Sequence, residues 1–211
     1  GGFIGELIAL DARIAAGSDF PNPNAPFHWR HDRTLSGNTI MSMGIWYEGM
    51  MRWVGPMKTV NAVGQSVINH RRDESGRRQA LTIPDHVDIT GELELGGQMR
   101  LNVTTVAGLA AYPIDIHIFG SEGTLRLYQA PGGQTTLAAG KRGDKRLKDV
   151  KIPKSKQGVW RVEEEFINAI RGKEEITHTD FATAVKYMEW TDAVTMSLRH
   201  REVVKLPLMG N

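Results

Sequence analysis

Apolar and polar residues alternate along much of the first two thirds of the chain. A two-residue period is typical of strands that bury one face and expose the other. It predicts strands at 3–16, 58–69, 86–95, 98–107, 113–119 and 124–128. Gly96-Gly97 lies between two of these segments and indicates a tight hairpin.

Helical periodicity replaces this alternation once before the run of strands and twice after it. The predicted elements are a helix at 38–54, helices at 159–171 and 180–199, and a short closing strand at 202–206. Ser36 is the predicted N-cap of the first helix, and Gly55-Pro56 ends it. The remaining segments are predicted as a proline-broken loop at 17–35, a charged loop at 70–78 and a glycine-rich, charged hairpin and connector at 131–156.

A run of strands followed by helices is typical of α+β proteins and not of a doubly wound sheet. Hairpin-length connections predict a large, mostly antiparallel open sheet with helices packed on one face. The chain has no repeat, linker or low-complexity tract, so residues 1–211 are predicted to form a single domain.

Composition narrows the function classes. The chain has no cysteine, which excludes disulfides, thiolate nucleophiles and cysteine metal sites. A net charge of +2 gives no general attraction to nucleic acid or membranes. No signal-peptide pattern is present, and we expect a cytoplasmic protein.

Two local features could indicate a polyanion or a metal, and both have simpler explanations. Residues 141–156 hold eight basic and two acidic side chains without interleaved aromatics, which favours a solvated hairpin and connector over a nucleic-acid site. His28, His31 and Asp32 share one loop, but loop histidines are more often solvated than metal-bound. We therefore expect no metal and no nucleic-acid partner.

Common catalytic motifs are missing from the sequence. No Gly-x-Gly-x-x-Gly turn precedes a predicted helix, and there is no Walker loop or Gly-x-Ser-x-Gly elbow. Helix 38–54 is instead the most unusual segment, because it is rich in methionine and tryptophan. This composition is typical of a buried core helix, and the alternative is a pocket wall with aromatic groups facing a ligand.

Several segments, taken in order, resemble the second domain of the glucose–fructose oxidoreductase, inositol dehydrogenase and MocA family (Gfo/Idh/MocA). The similar segments are 2–10, the His-Trp-Arg at 28–30, Ser-Gly at 36–37, the helix at 41–55, Phe-Gly-Ser-Glu-Gly-Thr-Leu-Arg-Leu at 119–127, and the closing helices and strand at 162–174 and 179–206. Together they cover nearly the whole chain.

This resemblance implies a substrate-binding domain that follows a Rossmann domain in complete proteins. Complete members bind NAD or NADP in the Rossmann domain and a sugar, cyclitol or similar polyol against the second domain. A lysine from a Glu-Lys-Pro motif assists hydride transfer, and neither that motif nor the glycine-rich fingerprint occurs in this chain. We expect the isolated domain to bind no cofactor and to be inactive, with the Rossmann domain encoded upstream.

Carried over by position, the family's aspartate falls on Ser42 and its catalytic histidine on Trp46. An indole N–H only donates, so Trp46 cannot take the hydroxyl proton that alcohol oxidation releases. It is suited to stacking on a sugar or nicotinamide ring. His28, Arg30 and Tyr47 are further candidate substrate-binding residues beside Ser42 and Trp46, and the catalytic residues stay unassigned.

Three functions remain open at this stage. The parent is an oxidoreductase with altered catalytic residues, a ligand-binding or assembly protein without redox chemistry, or an NAD-dependent glycosidase-type relative. Strands 86–95, 98–107 and 113–119 carry apolar residues that we assign in part to a second, exposed sheet face. Such a face predicts a homodimer or higher oligomer through the open sheet.

Overall fold

The structure is a computed structural model that describes residues 2–36, 43–177 and 180–208. Within these ranges the strands are β1 Leu7–Ile14, β2 Thr59–Gln65, β3 His70–Arg72, β4 Arg78–Ala80, β5 His86–Glu92, β6 Gln98–Thr104, β7 Ile114–Gly120, β8 Gly123–Gln129, β9 Thr135–Lys141, β10 Lys148–Asp149 and β11 Val204–Lys205. The helices are α1 Arg33–Ser36, α2 Met43–Val54, α3 Val162–Ile170 and α4 Phe181–His200, with short 3₁₀ turns at Trp29–His31 and Lys154–Lys156.

One large sheet dominates the architecture. Its strand order is β10-β9-β8-β7-β1-β6-β5-β2-β11, and β3 and β4 form a separate hairpin. The pair β1–β6 is parallel, and the other paired strands of the sheet are antiparallel. The predicted mostly antiparallel open sheet is therefore confirmed.

Helices α2 and α4 cover one face of this sheet and close the core. Leu10, Ile89 and Leu101 lie in that core with the side chains of both helices. The Ser197 hydroxyl of α4 accepts a hydrogen bond from the Ala62 amide of β2 at 2.9 Å, which fixes the helix on the strand. The α+β arrangement with helices on one face is thus confirmed.

The opposite face of the sheet is charged, which corrects the expectation of a partly apolar second face. The valine, leucine, methionine and isoleucine side chains of β5, β6 and β7 point inward, because the register places them on the helix-covered side. Asp11 and Arg13 of β1 lie on the open face, where Asp11 pairs with Arg100 and Asp115 of β7 pairs with Arg126. The apolar argument for an oligomer through this face was therefore wrong.

Several predicted loops contain regular structure. The charged loop at 70–78 forms most of the β3–β4 hairpin, which was not predicted. The glycine-rich segment predicted as a hairpin and connector contains the paired strands β9 and β10, for which no bounds were predicted. The proline-broken loop carries a 3₁₀ turn and α1. Ser36 ends α1, where its hydroxyl donates to the Asp32 carbonyl at 2.9 Å and the Asp32 carboxylate accepts from the Thr34 amide at 2.8 Å. The first residues of the helix that Ser36 is predicted to cap lie outside the described residues.

Two searches of the described part of the chain bear on partners. No helix there is long and apolar enough to cross a membrane. No group of three or more histidine, aspartate or glutamate side chains is arranged there to hold a metal ion.

Candidate functional site

A cleft of about 750 Å³ opens at the end of the sheet where β1 and β6 stop and β5 begins. The loop after β1 forms one wall, and the residues around the β3–β4 hairpin form the other. Its lining is mixed, with imidazole, guanidinium, carboxylate and aromatic groups. A concave site with apolar walls and a few polar groups is the usual form of a small-molecule site.

Backbone hydrogen bonds hold the two walls together. The Phe27 amide donates to the Arg72 carbonyl at 2.9 Å, and the Arg33 guanidinium donates to the Thr82 carbonyl at 3.0 Å. The loop is tied to the sheet as well, because the Ser18 hydroxyl and the Ala107 backbone exchange hydrogen bonds. The proline-broken loop is therefore a fixed wall, even though the sequence favours an extended, irregular segment there.

His28 and His31 hold the 3₁₀ turn through both imidazole rings. Nδ1 of His28 accepts from the Arg30 amide at 3.2 Å, and Nδ1 of His31 accepts from the His28 amide at 2.9 Å. A ring nitrogen that accepts carries no proton, so each neutral ring keeps its proton on Nε2. Both imidazoles can then donate from Nε2, and neither offers a free basic nitrogen.

The charge state of His31 follows from its surroundings. Burial, then the nearby Arg71 guanidinium, then His28, lowers the pKa of His31 below its usual 6.5. All three causes disfavour the imidazolium form, since burial penalises any charge and neighbouring positive groups penalise a further positive one. His31 is therefore neutral at pH 7 and acts as a hydrogen-bond donor.

Two arginines line the cleft without a carboxylate partner among the described residues. The Arg30 guanidinium lies over the Trp29 ring at 4.7 Å from the centroid, in a cation–π contact. Arg71 comes from β3 on the opposite wall, and its Nε is buried with no hydrogen-bond partner in the described part of the chain.

The carboxylates of the cleft are engaged with backbone. Both oxygens of Asp85 accept hydrogen bonds, from the Val67 and Ile68 amides, each at 2.8 Å. Asp19 accepts from the Phe20 amide at 2.7 Å. These contacts fix the loops at the cleft rim and leave the arginines without a carboxylate partner.

The structure brings only part of the predicted site together. His28 and Arg30 line the cleft. Ser42 lies outside the described residues. Trp46 is half-buried and packs against the edge of the core, but it does not line the cleft.

Tyr47 lies in the core and not on a pocket wall. Its side chain is 1% exposed and stacks on Trp190 of α4. Its hydroxyl oxygen accepts from the Met57 amide at 2.9 Å. The inner side of helix α2 therefore belongs to the core, with Met43, Met50 and Met51 buried, while Trp46 packs at the core edge and Trp53 is half exposed. A pocket wall on this helix stays a prediction.

The sequence missed Arg71 and Asp85. Both belong to segments that looked like solvated connections, and they are 41 or more positions from Arg30 in the chain. Pairing of the loop with β3 brings them to the cleft, and no local motif signals that pairing.

Nothing in the described part of the chain fits a dinucleotide. Such a site needs a glycine-rich turn that leads from a strand into a helix. Gly96-Gly97 and Gly132-Gly133 instead join strands of the sheet to one another. The residues present therefore do not form a NAD or NADP site, and no chemical step is assigned to that group here.

Residues 1–126 match the family model of the GFO/IDH/MocA C-terminal domain. No curated protein matches the chain by sequence. Among solved structures, levoglucosan dehydrogenase in complex with NADH and L-sorbose has a TM-score of 0.81 at 21% identity, over 98% of this chain and 60% of that one.

Two further structures extend the range of relatives. An NAD binding oxidoreductase from Klebsiella pneumoniae has a TM-score of 0.78 at 16% identity, over 97% of this chain and 60% of that one. A super-repressor mutant of Gal80p from Saccharomyces cerevisiae has a TM-score of 0.70 at 14% identity, over 97% and 59%. At such identities these likenesses show the fold, and the chain spans about 60% of the length of these proteins.

Proposed function

The chain belongs to the GFO/IDH/MocA C-terminal domain family, and we propose that it is the substrate-binding and oligomerisation domain of an NAD(P)-dependent oxidoreductase acting on a sugar, cyclitol or similar polyol. The cleft at the end of the sheet is the observation that carries this proposal. It combines hydrogen-bond donors with aromatic surface, which suits a ligand rich in hydroxyls with apolar C–H faces.

We place the nicotinamide cofactor on a preceding nucleotide-binding domain. Outward-facing apolar side chains on two helices support such a neighbour, since a large exposed apolar stripe marks a contact surface. Phe166 and Ile170 of α3 are 53% and 72% exposed, and Phe181 and Val185 of α4 are 87% and 61% exposed. The isolated domain is then inactive, because it holds substrate without the hydride acceptor.

The residues that bind substrate in this proposal are His28 and Arg30 in the cleft, Trp46 on α2, and Ser42, which lies outside the described residues. Ser42 and Trp46 occupy positions that carry acidic and basic groups in the family the chain resembles. Tyr47 is removed from this set, because its side chain is enclosed between α2 and α4. Its part is to hold α2 in place.

A second candidate function is a ligand-binding or assembly protein without redox chemistry. Two observations favour it. The cleft histidines use Nδ1 on backbone amides, so they supply no base, and Trp46 cannot accept a proton. In the oxidoreductase proposal, we therefore assign the proton acceptor for alcohol oxidation to the preceding domain.

Replacement of Trp46 tests the pocket assignment. In the whole protein, Trp46→Ala removes the stacking surface, and kcat/KM for the sugar is expected to fall about tenfold or more. Trp53→Ala is the matched control, because Trp53 lies two turns further along α2 and is half exposed. Equal kinetics of the Trp46→Ala variant and the wild type would remove Trp46 from the site.

We also propose oligomerisation through the open sheet face. The reason is now the charge pattern of this face and not the apolar residues that the sequence suggested. The face carries both signs of charge, in pairs such as Asp11–Arg100 and Asp115–Arg126. A surface of mixed sign can pair with a second copy of itself around a twofold axis, where each charge meets its opposite.

A further inference from the structure

The cleft holds two cationic groups that form no ion pair with an acidic side chain of the described residues. Arg30 makes no ion pair and no side-chain hydrogen bond with the described residues, and its guanidinium rests on Trp29. Arg71 also lacks an ion pair there, although other arginines of the fold, such as Arg126 and Arg161, do pair with carboxylates. The two groups reach the cleft from opposite walls.

The position of Arg71 carries an energetic cost in the ligand-free cleft. Its Nε is buried and has no hydrogen-bond partner in the described part of the chain. A buried donor without a partner is unfavourable, and each such group in a native structure needs an explanation. An arginine offers a planar fork of donors that matches a carboxylate or phosphate, so an oxyanion satisfies both the charge and the buried donor.

The neighbouring groups leave the arginine donors available. Asp85 and Asp19 also line the cleft and keep their negative charge, but among the described residues their carboxylates accept hydrogen bonds from backbone amides and not from the arginines. The Nε2–H groups of His28 and His31 are free to donate, because Nδ1 of each ring is the acceptor in the turn. The cleft therefore presents donors from both walls.

Apolar surface beside these donors fits the rest of a ligand. Trp29, Phe20 and Leu35 line the same cleft and are 49%, 61% and 66% exposed. Aromatic and aliphatic faces of this kind pack against the C–H side of a sugar ring. A free inorganic anion would leave this surface uncovered.

We propose that the cleft binds a sugar-like ligand bearing an oxyanion group, a carboxylate or a phosphate, which Arg71 and Arg30 hold while the ring lies against Trp29. This proposal rests on the proposed function, because it narrows the substrate class of the same domain. Both possible ligands are anionic polyols, and the experiment below distinguishes a sugar carboxylate from a sugar phosphate.

Calorimetric titration of the whole protein with glucuronate, glucose 6-phosphate, glucose and inorganic phosphate tests this. At least one of the two anionic sugars is expected to bind tenfold or more tightly than glucose, and the tighter one identifies the anion. Arg71→Gln and Arg30→Gln are expected to reduce that preference to less than threefold. Arg77→Gln is the matched control, because Arg77 lies in the same hairpin outside the cleft and is largely exposed.

The outcomes separate this proposal from the function on which it rests. Glucose binding as tightly as both anionic sugars, or an unchanged preference in Arg71→Gln and Arg30→Gln, overturns the anion site and leaves the polyol-binding function. Inorganic phosphate binding as tightly as the anionic sugars also overturns it. A third outcome is that the preference for the anionic sugar depends on the arginines but the protein reduces no NAD or NADP. That result supports the anion site and contradicts the redox function. Thermal unfolding of each variant shows whether it is folded. If Arg71→Gln does not fold, Arg30→Gln provides the test, because Arg30 is exposed and its replacement is not expected to disturb folding.

Discussion

The phenol ring of Tyr47 lies flat against the indole of Trp190, with ring centroids 4.0 Å apart and planes inclined by 6°. Met57 joins the two rings: its amide donates to the Tyr47 oxygen at 2.9 Å, and its sulfur accepts from Trp190 Nε1 at 3.1 Å. This contact fixes α2 against α4 at the start of β2, and Trp46 of the same helix lies at the edge of the core.

Removal of the Tyr47 hydroxyl tests this arrangement. Tyr47→Phe keeps the stacked ring but leaves the buried Met57 amide without its acceptor, which is expected to cost about 1–3 kcal/mol of unfolding free energy. Denaturant unfolding measures the change. Tyr128→Phe serves as the control, since its hydroxyl donates to Asp149 at the surface and its loss is expected to have little effect. Equal stability of Tyr47→Phe and wild type would contradict the role given to Tyr47.

The same residue predicts a pH dependence at the alkaline end. Burial raises the pKa of Tyr47 to about 12, above its ordinary value of 10. The folded state then binds the phenol proton more tightly than the unfolded state, so this contribution is complete below pH 10 and is lost as the pH rises through 12. The loss amounts to at most about 3 kcal/mol.

The difference in unfolding free energy between wild type and Tyr47→Phe isolates this effect, because the lysines and other tyrosines titrate equally in both. That difference is expected to fall between pH 10 and pH 12. A constant difference across this range would show that Tyr47 ionises as easily in the folded protein as in the unfolded one.

The charged sheet face predicts an oligomer that responds to charge reversal. Light scattering of the wild type is expected to give a dimer or larger particle at about 10 µM or above, as for an interface of modest affinity. Arg100→Glu places a negative charge beside Asp11 on this face and is expected to shift the protein toward monomer. Arg77→Glu, on the β3–β4 hairpin, is expected to leave the particle size unchanged. A monomeric wild type would contradict the oligomer.

The sequence predicted the elements whose pattern is local. Strands β5, β6 and β7 alternate strongly because one face of each lies in the core, and that burial shapes the sequence directly. The hairpin β3–β4 was missed because it carries mostly charged residues and has no buried face of its own. The bounds of strand β9 were missed for a related reason, since small and polar residues fill it.

The only cleft residues that could be predicted from the sequence are those that lie together in one loop. His28 and Arg30 lie in a single turn, and the sequence placed both in the site. Arg71 depends on pairing between the loop and β3, which a single sequence does not reveal. Tyr47 was misplaced because helix geometry alone gives its angle relative to Trp46, whereas its burial depends on Trp190, which lies far along the chain.

Cofactor reduction by the whole protein is the decisive measurement for the proposed oxidoreductase activity. The absorbance of NADH and NADPH is followed while the protein is offered glucose, inositol, glucuronate and glucose 6-phosphate. At least one of these sugars is expected to drive reduction of NAD or NADP, and the rate is expected to fall in Trp46→Ala but not in Trp53→Ala. No reduction with any of them, in a folded protein that still binds a sugar in the cleft, would contradict the oxidoreductase and favour the non-catalytic ligand-binding alternative.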